Sequence, residues 1–125
     1  MNSNTSQGID IVSISRIEKA VQRSGDRFLH RIFTSDELLS HTDYGFLATR
    51  FAAKEAFFKA LRSGISGGVR WHDFALPPES EDILRPKVSG VSYELLVGRR
   101  VLVSVSKTTR TAVAIIVLEG NGESV

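Results

Sequence analysis

Leu47-Ala48-Thr49-Arg50-Phe51-Ala52-Ala53-Lys54-Glu55-Ala56-Phe57-Phe58-Lys59-Ala60-Leu61 contains no Gly, Pro or Asn, and most of its residues are good helix formers. Wound at about 100° per residue, the stretch is apolar almost all round, which predicts a helix buried on most sides. Glu55 falls in the middle of an apolar face, between Phe51 and Phe58 on one side and Ala52 on the other. Lys59 follows at i+4, and Arg62 lies on the same stripe. A carboxylate in such surroundings is costly unless something positive holds it. Two readings fit: an internal Glu55–Lys59 pair, or a carboxylate kept for a metal ion, with Lys59 beside it facing a second anion. A second carboxylate elsewhere in the chain is what would separate them.

A chain of 125 residues suits one domain, and 42% hydrophobic residues suffice for a real core. The absence of cysteine excludes disulfides and thiolate chemistry. No run of about 18 apolar residues is present to span a membrane. The stretch Met1-Asn2-Ser3-Asn4-Thr5-Ser6-Gln7 lacks the basic and apolar regions of a signal peptide, which leads us to expect a cytoplasmic protein. A net charge of +2 is a mild bias toward anionic partners, too small to argue for nucleic acid by itself. No internal repeat, linker or low-complexity run stands out beyond the tails.

Outward from the central helix, Gly8-Ile9-Asp10-Ile11-Val12-Ser13-Ile14 reads as a strand dominated by β-branched residues and interrupted by Asp10. That residue is either a strand-edge Asp bonded to backbone or the second carboxylate. Ser15-Arg16-Ile17-Glu18 has the form of a capping box, predicting a helix from Ser15 that Gly25 can end in a left-handed cap. Arg16, Lys19 and Arg23 share one side of it, and Arg27 continues the stripe only if the helix passes Gly25. Such a stripe is a solvated face or a surface for an acidic partner. Phe28 to Phe33 is a short apolar segment, and Thr34-Ser35-Asp36-Glu37 is a second capping box opening a short helix to about Ser40. Asp43 is the expected N-cap of the central helix, which runs from Tyr44 to Arg62. Ser63-Gly64 closes it, and a glycine-bearing loop follows that can admit a ligand close to backbone N–H groups.

Trp71 to Leu76 and Lys87 to Ser89 read as strands around an acidic loop over 77–82, and Tyr93 to Val97 stays open between a helical turn and an extended segment. Val101, Val103 and Val105 mark a strand ending near Ser106, Lys107 to Arg110 a turn, and Thr111 to Leu118 a returning strand. The apolarity of that last strand on both faces suggests a central or interface position. His30, His41 and His72 are not spaced as a metal cluster and are expected to be surface or packing residues.

Gly8-Ile9-Asp10-Ile11-Val12 with Arg16-Ile17, then Phe33-Thr34 with Glu37, then Arg50-Phe51-Ala52-Ala53-Lys54-Glu55-Ala56 with Lys59-Ala60, resembles the holo-[acyl-carrier-protein] synthases, the small class of 4′-phosphopantetheinyl transferases. The matches run in family order over most of the chain, and the Arg50–Ala56 run is highly specific. The resemblance implies an α+β fold over 1–125, with residues 1–6 and 120–125 as flexible tails and a small antiparallel-rich sheet packed on the long central helix. It implies a trimer with active sites between neighbouring subunits. It implies transfer of phosphopantetheine from coenzyme A to a serine of apo-acyl carrier protein, releasing adenosine 3′,5′-bisphosphate and serving fatty acid biosynthesis, with no nucleic acid or membrane involved. The family's two metal-binding carboxylates correspond to Asp10 and Glu55, with Mg²⁺ as the ion. Glu55 and Lys59 are then the catalytic residues, Glu55 as the base for the serine. Lys59, Gly64, Ser106 and Lys107 correspond to coenzyme A contacts, and Arg16, Lys19 and Arg23 to the carrier-protein docking surface.

Three positions depart from the family pattern: Ser13 where an acid is common, Arg62 where glycine is common, and Lys107 where histidine is common. They open a second reading, a poorly active relative that keeps the fold and the carrier-protein contact. A third reading, a small basic RNA-binding module, would need aromatic residues on an exposed sheet face, for which only Trp71 and Phe74 are available.

Overall fold

The structure is a computed structural model that describes residues 4–38, 43–78 and 84–120. His41, Ser40, residues 79–82 of the acidic loop and the tail beyond Gly120 lie outside the described residues. Strand β1 (Ser6–Ser13) leads into α1 (Ile14–Ser24), α2 (Asp26–Ile32), α3 (Ser35–Leu38) and the long α4 (Tyr44–Leu61). A 3₁₀ turn (Trp71–Asp73), β2 (Phe74–Ala75), β3 (Lys87–Val88), α5 (Gly90–Leu96), β4 (Arg100–Lys107) and β5 (Thr111–Glu119) complete the chain. The main sheet is antiparallel with order β1-β5-β4, so the doubly apolar strand is the central one. Strands β2 and β3 form a separate pair.

Alternation along β1 and β5 sets the packing. Gly8, Asp10 and Val12 face α4 together with Ala112, Ala114, Ile116 and Leu118, and those four β5 side chains are fully buried. The small residues Ala52, Ala53, Ala56 and Ala60 let α4 lie close against them. The approach is tightest at Gly8, where a Cβ would stand 2.0 Å from the Ala56 carbonyl oxygen, so β1 tolerates no side chain there. This close contact sets Asp10, two residues on, against the second half of α4. Asp43 caps the helix as expected, its Oδ1 accepting from the N–H groups of Gly45 (2.7 Å) and Phe46 (3.3 Å).

Several local expectations change. The helix predicted from Ser15 begins at Ile14 with Ser13 as its N-cap, and the capping box does not form: Ser15 Oγ pairs with Ser13 Oγ at 2.8 Å instead. The strand runs straight into the helix, and Ile14 N–H donates to the Arg110 carbonyl at 2.8 Å. Gly25 takes a positive φ of 53° with ψ −131°, outside the left-handed cap, and starts α2. The apolar segment is therefore helical from Phe28 to Ile32, with Phe33 as its extended C-cap. The second capping box forms, with Glu37 Oε1 accepting from Thr34 N–H (3.0 Å) and Glu37 N–H donating to Thr34 Oγ1 (3.3 Å). Trp71 to Leu76 is a 3₁₀ turn followed by two strand residues, and the open segment 93–97 is the end of α5. Asp73 explains the turn: its Oδ2 accepts from Arg70 N–H (3.2 Å) and from Ser92 Oγ (2.7 Å), tying the turn to α5. His72 meets the His30 carbonyl at 2.8 Å on an exposed surface. Strand β1 takes in Ser6 from the N-terminal segment.

The charged residues of the Arg50–Ala56 run divide by role. Lys54 and Glu37 are both fully buried and form an ion pair at 2.9 Å. Lys54 also donates to the carbonyls of Trp71 (3.2 Å) and Phe74, and Glu37 Oε2 accepts from Leu76 N–H (2.8 Å). Arg50 donates to the carbonyls of Leu76 (2.8 Å) and Pro77 (3.2 Å) and covers the Phe46 ring at 3.9 Å. Both cations thus fasten the backbone of 71–77 to α4, and Glu55 is the acid of this run left to face outward. No helix among the described residues is long and apolar enough to cross a membrane.

Candidate active site

Asp10 reaches from the middle of β1 toward the last turns of α4, where Glu55 and Lys59 wait one turn apart. Lys59 Nζ donates to Asp10 Oδ1 at 2.8 Å and to the Ile9 carbonyl at 3.0 Å. The internal Glu55–Lys59 pair is therefore not what forms; the lysine reaches across to the strand. The pair is asymmetric in exposure, with 57% of the Lys59 side chain in solvent and 12% of Asp10. Its bond to Asp10 pushes the Lys59 ammonium above its ordinary pKa and keeps it charged.

The second oxygen of Asp10 is the informative atom. Oδ2 is buried and has no hydrogen-bond partner. Glu55 lies beside Asp10, and its carboxyl is pushed up to about 7, first by burial and then by the neighbouring Asp10 carboxylate. Arg16 and Lys59 oppose that rise without cancelling it. A protonated Glu55 can donate to Asp10; once both acids ionise, Oδ2 faces a like charge and no donor. Two oxygen ligands, one orphaned and one repelled, fit a hard divalent cation that completes its shell with water and substrate phosphate, as Mg²⁺ does. Among the described residues no third His, Cys, Asp or Glu joins them, so the protein's share of such a site is two carboxylates.

Without a cation, the arrangement makes the fold sensitive to pH. Because Glu55 binds its proton more tightly in the folded state than its ordinary value of 4.5 allows, the native state carries more protons than the unfolded chain between about 4.5 and 7. The contribution of Glu55 to stability is complete below that window and is lost as pH rises through it. We expect urea midpoints of the metal-free protein to fall from pH 5 to pH 8, and Glu55→Gln to flatten the fall. An equally steep profile in the variant would remove this account.

Two clefts meet at Glu55. One, of about 310 Å³, lies between α1, α2 and α4 and carries Arg16, Arg23, Arg27 and Arg31 on its walls. The other, of about 320 Å³, follows the end of α4 past Phe58, Lys59 and Arg62 to Gly64 and Ile65. Glu55 and Trp71 line both. Trp71 is held by stacking on Phe51, with ring centroids 5.5 Å apart, and by edge contact with Phe58. Of the expected basic stripe, Arg16 and Arg23 face the first cleft, while Lys19 is exposed outside it. Arg27 joins through α2 rather than by continuing α1. Arg31 and Trp71 were missed as site residues; Arg27 and Arg31 at i, i+4 were the available signal. Phe74 is fully buried against Phe57, so neither it nor Trp71 forms an aromatic platform on an exposed sheet.

Gly64 is at the mouth of the second cleft, with φ 61° and open space where a side chain would be. Ser106 and Lys107 are elsewhere. They end β4, and Lys107 Nζ lies 3.2 Å from where a Gly45 Cβ would be, at the start of α4. The 14 residues from Gly45 to Lys59 put the two lysines about 20 Å apart along the helix. One chain therefore brings together Asp10, Glu55, Lys59 and Gly64, leaves Lys107 at the other end of α4, and turns Ser106, paired in register with Val113, to the sheet face away from the helix.

The model of the 4′-phosphopantetheinyl transferase superfamily matches residues 6–113. The holo-[acyl-carrier-protein] synthase of Koribacter versatilis is 43% identical over 120 residues, which cover 90% of this chain and 95% of that protein. Among solved structures, the Helicobacter pylori holo-[acyl-carrier-protein] synthase in complex with coenzyme A aligns with a TM-score of 0.79 at 31% identity, covering 90% of this chain and 99% of its own. The Bacillus anthracis synthase, in complex with coenzyme A (3′,5′-ADP), aligns with a TM-score of 0.77 at 32% identity, covering 93% and 96%.

Proposed function

The chain belongs to the 4′-phosphopantetheinyl transferase superfamily, and from that premise we infer that it moves the 4′-phosphopantetheine group of coenzyme A onto a serine of apo-acyl carrier protein, releasing adenosine 3′,5′-bisphosphate. The observation that carries the reading is that one acid, Glu55, stands on the wall between two clefts of different character. A transfer between two large substrates needs such a meeting point. The arginine-lined cleft suits an acidic protein, and the cleft past Lys59 suits a phosphate-bearing nucleotide with an apolar arm.

In the transfer, the serine oxygen bonds to the phosphorus that bears the pantetheine arm. The bond from that phosphorus to the oxygen of the nucleotide 5′-phosphate breaks, and the serine proton must be accepted. Glu55, on the wall shared by both clefts, is placed to accept it. Lys59, fixed by Asp10 and the Ile9 carbonyl, offers its charge to the phosphate oxygens and to the leaving group. A Mg²⁺ held by Asp10 and Glu55 would supply further positive charge at the diphosphate. Gly64 leaves the loop wall bare for the nucleotide. The direct test is mass spectrometry of an apo-carrier protein incubated with this protein, coenzyme A and Mg²⁺, which should gain one phosphopantetheine per serine. No gain at any enzyme concentration would refute the assignment.

The basic cleft makes a separable claim. Arg16→Glu with Arg23→Glu should raise KM for the carrier protein about tenfold or more, because reversed charges repel an acidic partner, and should change KM for coenzyme A little. Equal effects on both substrates would remove the docking role.

Assembly as a homotrimer is supported from a different direction. The sheet face away from α4 exposes Ile9, Ile11, Leu102 and Ile115, with Ile9 and Ile115 directly paired across β1 and β5. An apolar sheet face of this kind is expected to be covered. Ser106 projects from the same face, and a neighbouring copy is what would bring Ser106 and Lys107 to a site one chain leaves incomplete. Ile11→Glu should sediment as a monomer and lose most of its activity. A monomeric variant with full activity would show that each chain works alone.

A further inference from the structure

Helix α4 ends on Arg62, whose backbone adopts φ 64° and ψ 28°, the left-handed conformation that glycine takes without strain. Apart from Val97, it is the described non-glycine residue with positive φ. The backbone there is well fixed, since Arg62 N–H donates to the Lys59 carbonyl and Ser63 N–H to the Phe58 carbonyl. The guanidinium is not: it makes no hydrogen bond or ion pair among the described residues. It lines the cleft that begins at Glu55, one helical turn beyond Lys59, which is already engaged by Asp10. A strained backbone carrying an unpartnered cation on the wall of a ligand cleft is how function is held against stability.

We propose that Arg62 is a phosphate-binding residue of this cleft, gripping oxygens of coenzyme A that Lys59 does not reach. The inference rests on reading the cleft as the coenzyme A side. A planar guanidinium takes two phosphate oxygens at once, which Lys59 as a point charge does not. Both phosphate sources in coenzyme A, the diphosphate and the 3′-phosphate, present that chemistry.

The test pairs binding with stability. Titration calorimetry of Arg62→Gly should show coenzyme A binding weakened about tenfold, and Arg62→Lys should recover part of it. Weakening of coenzyme A but not of dephospho-coenzyme A assigns the contact to the 3′-phosphate; equal weakening of both assigns it to the diphosphate. In the absence of ligand, Arg62→Gly should melt a few degrees higher, because glycine relieves the left-handed strain. Unchanged affinity for both ligands overturns the proposal while leaving the cleft assignment standing. A lower melting temperature overturns it too, by showing that the side chain holds the fold. Failure of the unsubstituted protein to bind coenzyme A removes the cleft assignment and this inference together.

Discussion

Glu55→Gln and Asp10→Asn each lower the turnover of carrier protein about 10³-fold in Mg²⁺ while the protein stays folded; that is the expected result with the largest effect on activity. The first substitution keeps the shape of Glu55 and loses both the proton acceptor and one anionic oxygen. The second keeps an acceptor for Lys59 but replaces one carboxylate oxygen of Asp10 with an amide, in the place where Oδ2 now stands buried without a partner. Burial first, and then the contact with Asp10, raises the Glu55 carboxyl to about 7; both substitutions remove that like-charge contact, so neither should lower the melting temperature. The combination of lost activity and retained stability is what separates a working acid pair from a structural one. Stopped-time assays of carrier-protein modification, with thermal melts on the same samples, measure both. Turnover near that of the unsubstituted protein in either variant would show that these acids do not hold the reacting phosphates.

What the sequence made legible follows from how local each signal is. The central helix was readable because an unbroken apolar run with a carboxylate in its flank admits few other structures. The central place of β5 followed from its apolarity on both faces. Capping boxes were a less sure guide: Thr34-to-Glu37 and Ser15-to-Glu18 share one pattern, yet only the first forms. Glu37 is buried and recruited by Lys54, whereas the strand before Ser15 passes directly into the helix and leaves Ser13 at the cap. The turn at Trp71 was unreadable because Asp73 and Lys54 make it, through partners 19 and 17 residues away. In the site, an acid among isoleucines marked Asp10 as needing a reason, but its pairing with Glu55 came from the family resemblance and not from spacing in the chain. The distance of Lys107 from Lys59 depends on which end of α4 the last turn of the sheet meets, and no spacing in the chain encodes that.

The largest effect on stability is expected at Lys54, the cation that the motif carries without exposing it. Lys54→Met should destabilise the fold by about 3–5 kcal/mol in urea or guanidinium unfolding, the range for removing one partner of a buried ion pair. Methionine fills much of the volume, so the loss is electrostatic: Glu37 stays buried with its cation gone, and the carbonyls of Trp71 and Phe74 lose their donor. Burial drives the Lys54 ammonium below its ordinary pKa, and Glu37 is the main influence restoring it, so each charge is tolerated because of the other. Lys54→Met with Glu37→Gln should accordingly recover a measurable part of the loss, which a double-mutant cycle reports directly. The effect should reach the site as well, since Lys54 holds the backbone of Trp71, and Trp71 forms a wall of both clefts. KM for both substrates should therefore rise in the single variant at temperatures where it remains folded. A Lys54→Met protein as stable as its parent would mean that the Glu37 carboxylate finds its stabilisation in the Thr34 and Leu76 N–H groups alone.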